Sequence, residues 1–71
     1  MDKELLGVIG ENVKEYREKA NLTQAELAEK VGIGTASVSR IERGEKRMKL
    51  ETLRAVAEAL DISVGLLFYQ E

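Results

Sequence analysis

The chain has no cysteine, no histidine, no proline and no tryptophan, and only one Phe and two Tyr among its 71 residues. Each absence removes a class of protein. Without cysteine there is no disulfide scaffold and no thiol nucleophile, and without cysteine or histidine there is no zinc finger. The lack of histidine also removes the commonest catalytic base. No run approaches the roughly 20 apolar residues needed to span a bilayer. The N-terminus lacks the charged-then-apolar pattern of a signal peptide. No repeat, low-complexity tract or linker divides the chain. The expectation is one domain over residues 1–71, soluble and cytoplasmic, with no metal, no cofactor and no membrane association. At this length a chain is near the lower limit for folding unaided. Its 44% hydrophobic content suffices for one small core.

An overall excess of positive charge is also missing, because the formal net charge is −2. Its distribution is uneven. Residues 1–31 carry five Lys/Arg against seven Asp/Glu. Residues 32–49 carry Arg40, Arg43, Lys46, Arg47 and Lys49 against Glu42 and Glu45, a local +3. Residues 50–71 carry Arg54 against Glu51, Glu58, Asp61 and Glu71, a local −3. Charges interact mainly within a Debye length of about 8 Å, so the local patch matters more than the sum.

The basic segment overlaps the most ordered pattern in the chain, LTQAELAEKVGIGTASVSRIERG over residues 22–44. Thr23 followed by Glu26 is a capping box, which starts a helix at Gln24. Leu27, Ala28 and Val31 share one helical face. Gly32 is the residue that most easily takes the left-handed conformation that ends a helix. Val38 and Ile41 mark the inner face of a second helix, from Thr35 to Arg43, with Gly34 as N-cap and Gly44 as terminator. Two helices joined by a short glycine-containing turn form a helix-turn-helix. Small Ala28 sits where the second helix crosses the first. Ile33, Val38 and Ile41 are the apolar residues that a tight corner must bury.

The flanking periodicities predict more helix. Leu6, Ile9, Val13, Tyr16 and Ala20 share a face of a helix from about Leu5 to Ala20, weakened early by Gly7 and Gly10 and stopped by Asn21. Leu50, Leu53, Val56, Ala57 and Leu60 are the expected inner face of a helix over Leu50 to Leu60. A short fifth helix, capped by Ser63, runs to about Phe68. The predicted class is all-α.

The T-Q-x-E-L-A pattern of Thr23, Gln24, Glu26, Leu27 and Ala28, and the I-E-x-G of Ile41, Glu42 and Gly44, resemble the helix-turn-helix of the lambdoid phage repressor and Cro family, also called the XRE family. The similarity extends from about Val13 to Phe68 and includes LETLRAVAEALDISVGLLF. The chain departs in having no proline before its fourth helix and Gly34 where Ser, Thr or Asn is frequent. The resemblance implies a compact five-helix, lambda-repressor-like domain with a central helix-turn-helix at about 24–43. It implies a sequence-specific transcriptional regulator, such as a repressor, that binds a palindromic operator in double-stranded DNA as a homodimer. Size and ending look like the small controllers of restriction-modification systems and compact phage or plasmid regulators. The alternative is an antitoxin or another module of this fold that docks a protein partner. Met1 and the well-defined end at Phe68 speak for a self-standing chain over an excised domain. An enzyme is not expected.

By resemblance, Thr35, Ala36, Ser39 and Arg40 face the major groove. Arg40 either forks onto guanine O6 and N7 or neutralises a phosphate. Gln24, at a helix N-terminus, matches a phosphate contact; amides there lack internal partners and the helix dipole is positive. Arg43, Lys46, Arg47 and Lys49 are either a phosphate clamp or a solvated basic loop. Ser37 either reaches a phosphate or faces the helix pair. Arg17 and Glu42 match the family's buried structural ion pair. The closing run that includes Val64, Leu66, Leu67, Phe68 and Tyr69 is too apolar for a five-residue helix to bury entirely. Some of it completes the core, and Val64, Leu67, Phe68 and Tyr69 are the expected dimer interface.

Overall fold

A computed structural model describes residues 2–70; Met1 and Glu71, the two ends of the expected single domain, lie outside the described residues. Four α-helices follow in order: α1 Lys3–Lys19, α2 Gln24–Val31, α3 Thr35–Glu42 and α4 Leu50–Ala59. A 3₁₀ helix, Val64–Phe68, closes the chain. The described residues contain no strand.

Local chemistry sets most boundaries. Asp2 caps α1 by accepting the Leu5 amide at 2.8 Å, so the helix begins two residues before the expected Leu5. Asn21, at φ 58°, ends that stretch in the left-handed conformation that asparagine tolerates. At α2 the capping box is complete: Thr23 Oγ1 accepts from Glu26 N at 3.0 Å, and Glu26 Oε1 accepts from Thr23 N at 2.8 Å. Gly32, at φ 83°, then lets both its own amide and that of Ile33 return to the Ala28 carbonyl. The α2–α3 turn is three residues, Gly32 to Gly34.

The core draws on every element: Ile9 and Val13 of α1, Leu27 and Ala28 of α2, Val38 and Ile41 of α3, Leu53, Val56 and Ala57 of α4, with Met48, Leu60 and Leu67 from the segments around them. Gly10 lies in the middle of the buried stripe of α1. A Cβ there would overlap the Ile41 carbonyl oxygen and stand 2.8 Å from that of Glu42. Gly10 is therefore what lets α1 press against the C-terminal end of α3, and it is not merely a weak start to a helix.

Three expectations need correction. Leu50 does not face inward: it is 71% exposed at the first position of α4, while Met48 is buried instead. The fifth helix is 3₁₀, not α. Its three-residue period puts Val64 and Leu67 on one side. Leu67 is consequently fully buried and cannot form a dimer contact, whereas Leu66, Phe68 and Tyr69 remain exposed.

Candidate nucleic-acid interface

Glu42, at the end of α3, ties three elements together. Arg17 Nε of α1 donates to Glu42 Oε2 at 2.6 Å, and Arg17 Nη2 donates to Oε1 at 3.1 Å. Arg17 Nη1 also donates to the Leu22 carbonyl at 2.8 Å, and Gln24 Nε2 donates to Glu42 Oε1 at 3.0 Å. The paired side chains are 11% and 4% exposed, which makes this a buried bracket. Its hydrogen bond to Glu42 holds the Arg17 pKa above its ordinary value, ahead of the opposing effect of burial. Gln24 thus arrives at the α2 N-terminus with its side chain fixed. One Nε2 hydrogen and its oxygen are left free of this bond.

The capping box engages the amides of Thr23 and Glu26. Those of Gln24 and Ala25 have no backbone partner among the described residues. The same holds at α3, where Gly34 offers no side-chain cap and only its carbonyl is used, by Ser37 and Val38. Two helix N-termini therefore keep amides without a backbone partner, that of α2 after the α1–α2 turn and that of α3 after the α2–α3 turn, and such ends attract anions.

Thr35, Ala36 and Arg40 are exposed on α3, while Ser37 and Ser39 are half-buried. Thr35, Ser39 and Arg43 form one row at four-residue spacing, with Ala36 and Arg40 beside it. Arg43 Nη1 donates to Ser39 Oγ, and Arg43 Nε donates to Glu45 Oε2 at 3.2 Å. In the loop after α3, Arg47 and Lys49 are exposed and Lys46 is half-exposed. Gly44 makes the turn at φ 70°. The arrangement is a basic rim around a shallow helical face of short side chains.

At the other end of the fold, Asn12 of α1 donates from Nδ2 to the Leu67 carbonyl at 2.9 Å and to the Tyr69 carbonyl at 2.8 Å. Sequence reasoning missed this clasp. The available signal was an amide residue on a partly buried row of α1. Phe68 borders one shallow depression along α1, with Asp2, Glu4, Leu5, Val8 and Gln70, and Tyr69 borders a second. The described residues contain no group of carboxylates that could hold a metal and no helix long and apolar enough to cross a membrane.

The HTH_3 helix-turn-helix family model matches residues 13–67, a span that holds α2, α3 and the bracket residues. The chain belongs to this family. It is 38% identical over 64 residues to the control protein C.SmaI of Serratia marcescens, covering 90% of this chain and 76% of that one. Among solved structures, the restriction-modification controller C.AhdI of Aeromonas hydrophila superposes with a TM-score of 0.86 at 33% identity, covering 89% of this chain and 96% of that one. SinR, a master regulator of biofilm formation whose structure was solved in complex with DNA, gives 0.81 at 35% identity, covering 86% of this chain and 98% of that one. Other relatives are longer: this chain spans only 44% of the immunity repressor of Bacillus phage phi105.

Proposed function

We propose that the protein is a DNA-binding transcriptional regulator that acts as a homodimer on an inverted-repeat operator. The observation that carries this reading is the exposed face of α3: Thr35, Ala36 and Arg40 are open to solvent, and a basic loop follows the helix. The likeness to a regulator solved on DNA supports it. Thr35, Ala36, Ser39 and Arg40 meet base edges. Gln24, the free amides at the α2 N-terminus, Ser37, Lys46, Arg47 and Lys49 meet phosphates. Phosphate contacts position the protein and base contacts specify the sequence. The short side chains at three of the four base-facing positions leave part of the specificity to DNA shape.

A single small domain rarely binds tightly alone. The exposed Leu66, Phe68 and Tyr69, with Val64 behind them, supply the apolar face for a second copy. Two recognition helices then fall about 34–36 Å apart, one DNA turn, so half-site centres lie about 10 base pairs apart. The decisive experiment selects bound sequences from a random duplex pool; an inverted repeat with that spacing is expected, and recovery of no preferred sequence would refute the reading. Lys46→Ala with Arg47→Ala should weaken all duplexes alike and lower the salt slope by about one unit per lost contact. In sedimentation, Phe68→Glu should give a folded monomer. A wild-type chain that stays monomeric at tens of micromolar and binds each half-site alone would leave the apolar end to a protein partner of another kind.

A further inference from the structure

Arg43 differs from the other cations of the basic segment in already having partners. Arg40, Lys46, Arg47 and Lys49 hold no ion pair among the described residues. Arg43 instead folds back one turn along α3, giving one Nη1 hydrogen to Ser39 Oγ and its Nε hydrogen to Glu45. Its guanidinium is therefore held over the last turn of α3, between Ser39 of the helix and Glu45 of the loop that follows. A guanidinium has five N–H donors in a fixed fork. With these two engaged, those left sit on Nη1 and Nη2, the pair of nitrogens that can meet guanine O6 and N7 end-on. Ser39 accepts from Arg43 and keeps its own hydroxyl hydrogen to give.

Glu45 is the second clue. A carboxylate inside a segment of five cations repels phosphate and weakens binding to any DNA. That placement is understandable if the carboxylate holds a cation in a chosen geometry. At 55% exposure it does so lightly, and the pair can yield to a better acceptor.

We propose that Arg43 reads a guanine in the major groove, with Ser39 and Glu45 as its positioning residues, and is not the phosphate contact that its place at the helix end suggests. This rests on the DNA-binding reading above. Arg43 then adds a second multi-donor reader to Arg40 on a helix otherwise furnished with short side chains.

The test uses the full chain and the duplex recovered from the random pool. Binding of wild type, Arg43→Ala, Arg43→Lys and Glu45→Gln is measured across a salt series. The duplexes are the selected one, single base-pair changes of it, and forms in which one guanine at a time is 7-deazaguanine, which lacks the N7 acceptor. Arg43→Ala should lose roughly 5- to 150-fold of preference at one base pair per half-site and become indifferent to 7-deazaguanine there. Arg43→Lys, which keeps the charge but not the fork, should lose that same preference. Glu45→Gln should tighten binding to every duplex while shrinking the preference at that one position about two- to fivefold. A merely structural Glu45 would not move one base position alone. If Arg43→Ala weakens all duplexes equally, with the salt slope reduced by about one and every base preference intact, Arg43 is a phosphate contact and the proposal is overturned. A wild-type chain that selects no sequence overturns the regulatory reading together with this one; a chain that selects a site that Arg43→Ala still reads correctly overturns this one alone.

Discussion

Glu42 and Arg43 are neighbours in the chain, and each belongs to an ion pair, yet the two pairs are built for opposite ends. The Arg17–Glu42 pair is buried, uses both carboxylate oxygens and is completed by Leu22 and Gln24. The Arg43–Glu45 pair is more than half exposed, and its cation retains free donors. A hundred-degree step around one helix separates a group facing α1 from a group facing solvent. The inner pair holds three helices in fixed relation, so that the outer row is presented rigidly. The outer pair is weak enough to be exchanged when a better acceptor arrives. Rigidity and replaceability thus come from the same chemistry at two levels of burial.

The largest expected effect breaks the inner member. Arg17→Ala or Glu42→Ala leaves a buried charge without its partner and should cost about 3–5 kcal/mol in urea unfolding, a large share of a small domain's stability. The double replacement Arg17→Met with Glu42→Leu should cost distinctly less than either single change. If the single changes prove nearly neutral, burial does not separate the two pairs.

Next in size is the contact that brings α1 to the inner pair. Gly10→Ala pushes a methyl group into the α3 carbonyls and should cost about 1–3 kcal/mol. Gly7→Ala, three residues earlier on the same helix with open space around it, should stabilise by about 0.5–1 kcal/mol. Equal effects at the two sites would refute the close crossing.

The outer pair should matter little to folding. Arg43→Ala and Glu45→Gln are expected to shift stability by less than about 1 kcal/mol, and the shift should shrink in 1 M salt, where the Debye length is about 3 Å. A larger, salt-independent loss in thermal unfolding would make the outer pair structural too.

The smallest effect separates a third carboxylate from both. Glu26 is exposed like Glu45, but it accepts the Thr23 amide, and that backbone bond holds its pKa below the usual carboxylate value of 4.5. A group whose pKa is depressed on folding stabilises above its unfolded value. That contribution is lost as pH falls from about 4.5 through the lower folded value. Glu26→Gln should therefore flatten this part of the acid limb in a pH series of unfolding midpoints; an unchanged limb would count against the cap.

These contrasts also show what could be read from residue order. The ends of α2 and α3 were legible because their causes are local: Thr23 and Glu26 three apart, Gly32 and Gly44 after the last apolar position. The side of a helix that meets the core was less so. Leu50 fits the three-and-four spacing of Leu53 and Ala57, but it opens α4 before the helix reaches the core, and the loop instead inserts Met48. Leu66 and Leu67 differ only in phase, and the phase depends on whether the last turn has three residues or 3.6. Gly10 carried a usable signal, since it lies on the buried stripe with Leu6, Val13 and Arg17. At the candidate interface, the basic segment and the short residues of α3 were legible from composition and spacing. The fold of Arg43 back along α3 onto Ser39, with Glu45 as its second partner, was not, because a flexible side chain's choice of partner leaves no mark in spacing.

The depression shared by Asp2 and Gln70 brings the two described ends of the chain to one place. Circular permutation is then a realistic redesign: a few glycines and serines joining the ends should carry little closure cost. New ends belong in the loop between α3 and α4 at exposed Arg47, ahead of buried Met48. Such a variant would keep every helix but cut the covalent path between α3 and α4. Whether the basic loop orders α3 would then be measurable as a change in connectivity, without altering a single side chain.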